Sequence, residues 1–70
     1  MKIKVGMLLR HSKTGGTAII VDETRDDRGT HWWWILDSEG FHYRESNDWL
    51  KNYIHKGVWE IVQEVENEAG

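Results

Sequence analysis

Hydrophobic and polar positions along this chain fall into short apolar blocks broken by glycine and acid-rich stretches, with one segment of a different period. Residues 5–12, VGMLLRHS, read as a first strand. KTGG follows as a tight turn, because its two glycines tolerate positive φ. Residues 17–24, TAIIVDET, have high β propensity and return as a second strand. RDDRG is a charged loop. HWWWIL, residues 31–36, is a third strand, and DSEG is a turn with Gly40 at its left-handed position. FHYRE, residues 41–45, is a fourth strand paired with the third. In residues 46–57, SNDWLKNYIHKG, the period changes. Trp49, Leu50, Tyr53 and Ile54 share one helical face, Ser46 or Asn47 caps the start, Asp48 complements the dipole, and Gly57 suits the end. VWEIV, residues 58–62, is a fifth strand. QEVENEAG loses apolar content, so one domain is expected over residues 1–66, with a frayed acidic tail at 67–70.

Alternation assigns faces within each strand. Trp32, Trp34 and Leu36 share one side of the third strand, and His31, Trp33 and Ile35 share the other. AIIV is apolar on both sides, so the phase of the second strand stays open. The last strand has the same ambiguity, with Trp59 and Ile61 opposing Val58 and Val62. Three strands thus carry apolar residues on both faces, whereas a small core needs one. The second face requires a cover: the helix, the tail, a partner subunit or a ligand.

The order of two hairpins, a short helix and a last strand, with VGMLLRHSKTGGTAIIV at the start and WWILDSEG in the middle, resembles the SH3-like small barrels of the KOW and Tudor type. Small phage and bacterial proteins share this outline. The resemblance covers residues 5–62, with a helix longer than the single turn usual there. It implies a mainly β fold, a five-stranded SH3-like barrel with one short helix before the last strand. In such barrels the apolar residues before the acidic turn point inward. By that analogy Trp34 and Leu36 are inside, Trp32 lies at a rim, and Trp33 and Ile35 face outward. As a class it implies binding of proteins or nucleic acid, in the manner of a phage or bacterial accessory protein.

Composition narrows the chemistry. The 70 residues allow one small core, and the chain has no cysteine, which removes disulfides, thiolate metal sites and a nucleophilic thiol and fits a reducing cytoplasm. Five tryptophans offset the small size, since each buries a large apolar area. WWWIL and AIIV fall far short of the ~20 apolar residues that cross a bilayer. The opening MKIKVGMLL is too briefly apolar for a signal peptide. The expectation is a soluble, cytoplasmic chain without a membrane role.

Net charge is −3 but unevenly spread. Residues 1–20 hold four basic and no acidic side chains, and residues 57–70 hold four glutamates and no basic one. Lys2, Lys4, Arg10 and Lys13 are therefore the candidate phosphate contacts, although the acidic balance opposes wrapping by long nucleic acid. The plainer reading, which takes precedence, is that they are solvated strand ends.

Catalytic signatures are missing. GGT lacks the GxxxxGK[ST] pattern and joins two strands. Ser12, Ser38 and Ser46 have no nucleophile-elbow setting. DETRDD lacks the calcium-loop pattern. His11, His31, His42 and His55 have no metal-ligand spacing, although His31 and His42 lie on adjoining strands. No enzyme activity, cofactor or resident metal is expected. The candidate binding residues are Trp33, Ile35, His42, Tyr43 and Arg44, as an outward aromatic patch. A protein partner or self-association ranks ahead of nucleic acid, because aromatic residues and arginine are enriched at interface centres. The competing possibility is that these rings simply pack beneath the helix.

Overall fold

The computed structural model describes residues 2–63. Five strands and one helix follow the order β1 (Leu8–His11), β2 (Thr17–Arg25), β3 (His31–Asp37), β4 (His42–Ser46), α1 (Asn47–His55) and β5 (Trp59–Gln63). All strands belong to one antiparallel sheet ordered β4-β3-β2-β1-β5. The tail expected beyond residue 66 lies outside the described residues.

The turns follow from local chemistry. At the β3–β4 turn the Asp37 carboxylate accepts the backbone N–H of Glu39 and of Phe41, both at 2.9 Å. Gly40 completes this turn at φ 91°, a conformation that costs a residue with a Cβ more than it costs glycine. Ser46 caps α1 by accepting the Trp49 N–H at 3.3 Å. Gly57 ends the helix at φ 81°, donating to the Ile54 carbonyl.

The sheet is open, which corrects the expected SH3-like barrel. β4 and β5 are its two edges, and no ladder joins them among the described residues. The chain between them forms α1, which contacts β3, β4 and β5. Helix packing therefore supplies the burial that strand closure would have supplied. A β-barrel description does not apply to this chain.

α1 covers the inner face. The core consists of Ile3, Met7, Leu9, Ala18, Ile20, Trp33, Ile35 and Leu50, with Ile54, Trp59 and Ile61 packed against it. Register explains the set. Leu9 pairs with Ala18 and Ile61, and Ile20 pairs with Ile35, so these residues share one face. From the helix only the aliphatic pair Leu50 and Ile54 enters. Trp49 remains 57% exposed and stacks on Tyr53 at a centroid distance of 5.8 Å.

This phase reverses the expected faces of β3. Trp33 is 3% exposed and Ile35 is 1% exposed, so both point inward. Leu36 is exposed and Trp34 half-buried on the outer side. A hydrogen bond anchors the choice: Trp33 Nε1–H donates to Asn47 Oδ1 at 2.9 Å. A buried indole N–H needs such an acceptor, and the first residue of α1 presents it. β2 takes the matching phase with Ala18 and Ile20 inward, and β5 with Trp59 and Ile61.

Candidate functional site

The core lies on the inner face, and the outer face carries apolar side chains that the described residues bury only in part. Leu8, Ile19 and Leu36 are direct cross-strand neighbours on β1, β2 and β3. They form a straight aliphatic row across the middle of the sheet, and Ile19 and Leu36 are each 38% exposed. A shallow notch of about 130 Å³ opens among these three side chains. Two register shifts widen the row. Val21 lies at the irregularity between Ile20 and Asp22, and Val62 at the one opposite Leu8 and Leu9. Both are exposed. A bulge residue has no directly paired neighbour to cover it.

Charges flank this row on both sides along the strands. On one side Arg10 pairs with Glu60 across β1 and β5 at 3.3 Å. On the other, Asp22 is opposite Trp34, which is opposite Arg44. Trp34 stacks with His42 at 4.9 Å, and the Arg44 guanidinium lies 4.1 Å from the Trp32 ring centre. Trp32 Nε1–H donates to Asp26 Oδ2 at 3.0 Å. That bond, followed by backbone N–H donation from Thr30, holds the Asp26 carboxyl below its usual pKa.

Elsewhere Glu23, Thr24, Arg25 and His31 line a cleft of about 230 Å³, and two others are also polar. One, of about 290 Å³, lies between the β2–β3 loop and the start of α1, lined by Arg25, Thr30, His31, Ser46, Asn47 and Asp48. Its polar groups largely have structural partners: Ser46 caps the helix, Asn47 receives the Trp33 N–H, and His31 Nε2 meets Glu23 Oε2 at 2.9 Å. The other, of about 220 Å³, lies near the gap between the edge strands, where Tyr43 and Trp59 line it together with His11, Asp37 and Glu39. Burial, then the charges of Asp37 and Glu45, raise the Tyr43 pKa. Burial likewise raises that of Glu45.

The expected aromatic patch is not assembled. Trp33 and Ile35 are in the core, and Tyr43 pairs with Ile35 on the same inner side. His42 and Arg44 pair with Leu36 and Trp34 and belong to the outer side. The five residues are thus split between two faces, and an aromatic-surface binding mode built on them falls. The basic side chains are dispersed as well: Lys2 and Lys4 precede β1, Lys13 follows it, and Arg10 is neutralised by Glu60. His31 and His42 stand at opposite ends of the β3–β4 pair, since His42 is opposite Leu36 and Trp32 is opposite Ser46. Among the described residues no three histidine or acidic side chains group as metal ligands, and no helix is long and apolar enough to cross a membrane.

Sequence reasoning missed Leu8 and Ile19 as surface residues and placed Leu36 inside. The signal was present in the two-faced apolar pattern of β2 and β3, but its phase was not. Comparison of the chain with known protein families, curated proteins and solved structures gives no match.

Proposed function

We propose that this chain is a non-catalytic interaction domain that presents the aliphatic outer face of its open sheet to a protein partner. The observation that carries the reading is the row Leu8, Ile19 and Leu36, contiguous in register and left partly exposed by the described residues, whose core lies on the other face. Isolated exposed apolar side chains are ordinary, whereas side chains that adjoin in register, widened by exposed Val21 and Val62, supply the contiguous apolar area an interaction surface is built on. Flanking polar and charged residues supply the rim such a surface needs. The non-catalytic part of the reading rests on how the polar groups are used. Asp26, Asp37, Ser46 and Asn47 each accept a hydrogen bond that holds a turn, a cap or an indole. Lack of cysteine suits a reducing, cytoplasmic setting.

The test separates binding from folding. Leu36→Thr, measured in dilute solution, is expected to cost no more than about 1 kcal/mol of stability, as for a half-exposed strand position. Ile35→Thr, one residue away but in the core, is expected to cost about 3 kcal/mol. Leu36→Thr is also expected to reduce fluorescence enhancement of an apolar dye such as ANS. Equal folding losses for the two variants would assign the outer row to folding and defeat the reading.

A further inference from the structure

We infer that the partner on this face is a second copy of the chain, packed sheet against sheet about a two-fold axis running along the Leu8–Ile19–Leu36 row. The inference rests on the reading of the outer face as a binding surface and adds the occupant and its orientation.

The aliphatic row crosses three adjacent strands in direct register. One position along the strands to one side stand Glu60, Arg10 and Thr17, in register on β5, β1 and β2. To the other side stand Asp22, Trp34 and Arg44, in register on β2, β3 and β4. A two-fold axis along the row lays apolar on apolar, keeps each strand over its own counterpart, and exchanges the two flanking rows. Arg10 of one copy then comes over the other copy one strand away from Asp22. Neighbouring strands are only ~4.8 Å apart, a lateral step an arginine side chain spans. Symmetry repeats the contact, so each dimer holds two Arg10–Asp22 pairs.

Charge also discriminates between orientations. An axis along the strands through β2 would again lay the row on itself, but it would set Asp22 over Asp22. Juxtaposed like charges are a recognised device against wrong pairings. The orientation along the row is therefore the one the surface charges favour. Its strands cross near-aligned, within the range usual for stacked sheets.

Area sets the strength. Five strands at ~4.8 Å spacing and about 20 Å of strand length give on the order of 500 Å² per copy. The total of about 1,000 Å² is at the low end for specific association. The dimer is therefore a concentration-dependent one, with a Kd on the micromolar scale or weaker.

The experiment is sedimentation equilibrium of the full 70-residue chain from ~1 μM to ~1 mM, spanning the expected Kd. The chain is expected to pass from monomer to dimer, and Leu36→Glu to remain monomeric. Arg10→Asp and Asp22→Arg each remove both symmetry-related pairs and are each expected to weaken the dimer about 25-fold, about fivefold for each charge pair. Combining the two restores it. Circular dichroism confirms that each variant is folded, and because Arg10→Asp also removes the Glu60 pair, Asp22→Arg is the cleaner single variant. A wild-type chain that stays monomeric throughout overturns the second copy. If Leu36→Thr is then stable and loses dye binding, the outer face keeps its role for a different protein. A dimer indifferent to Leu36→Glu overturns both the occupant and the face. A dimer sensitive to Leu36→Glu but not rescued by the charge exchange overturns the stated axis.

Discussion

Replacing Trp33 with phenylalanine tests the inner face of the sheet and the indole contact that fixes it. Trp33 is 3% exposed and donates its N–H to Asn47 at 2.9 Å. Phenylalanine removes roughly 50 Å² of buried ring, worth about 1.2 kcal/mol at 25 cal/mol per Å². It also deprives the half-buried Asn47 of a donor, adding about 1 kcal/mol. The expected loss is therefore about 2 kcal/mol. That is a large share of the roughly 4–10 kcal/mol available to a domain of this size. Trp33→Ala is the harsher probe, at about 3–5 kcal/mol, and brings the domain close to unfolding. Urea denaturation followed by far-ultraviolet circular dichroism reads the milder variant. With an m-value near 1 kcal/mol/M, the midpoint falls by about 2 M. Trp34→Phe is the control. Trp34 lies half-buried on the outer face against His42, so it is expected to cost less than about 0.7 kcal/mol. A double-mutant cycle of Trp33→Phe with Asn47→Ala is expected to show coupling of about 1 kcal/mol. Equal costs at Trp33 and Trp34, or no coupling to Asn47, would refute the reasoning.

Three further outcomes follow from local contacts. Ser46→Ala removes the cap of α1 and is expected to cost about 1 kcal/mol in the same urea assay; an unchanged midpoint would show that the cap does not contribute. Asp26 has a lowered pKa in the folded state, so its contribution is fully present above the ordinary carboxylate range and is lost as pH falls through the depressed value. Below about pH 4, the native chain is accordingly expected to lose stability relative to Asp26→Asn, and parallel acid titration curves would refute this. Glu45 is the opposite case. Burial raises its folded pKa, so ionisation opposes folding, and the cost is absent below the unfolded pKa and appears as pH rises through the folded one. Glu45→Gln is expected to melt higher than the native chain at pH 7 and to converge with it near pH 3, below the ordinary glutamate range; a lower melting point at pH 7 would contradict the sign.

The elements were largely legible because each depends on neighbours in the chain. Glycine at 15, 40 and 57, the Asp37 turn and the Ser46 cap act over two to four residues, and the structure has them at positive φ or as local hydrogen bonds. The helix was legible from period, but not which of its side chains pack. Trp49, Leu50, Tyr53 and Ile54 share a face, yet only Leu50 is buried, with Ile54 packed against the core. The candidate site was not legible. Its residues belong to strands apolar on both sides, where alternation sorts side chains into two sets without ranking them.

Order and type of the elements, the absence of cysteine, and a surplus of apolar strand positions were thus determined by sequence alone, through short-range rules, whereas the aromatic core that five tryptophans suggested is mainly aliphatic, with Trp33 its buried ring among the described residues. Tertiary structure decided three things. α1 covers one face, and among the described residues β4 and β5 do not pair with each other, so the sheet stays open rather than closing as a barrel. An acceptor at Asn47, 14 residues from Trp33 in the chain, lets that ring enter the core. Its neighbour Trp34 consequently turns outward, and Leu8, Ile19 and Leu36 are left as a partly exposed row. These outcomes depend on a contact between distant segments, and a period-two pattern contains no information about which segment arrives on which side.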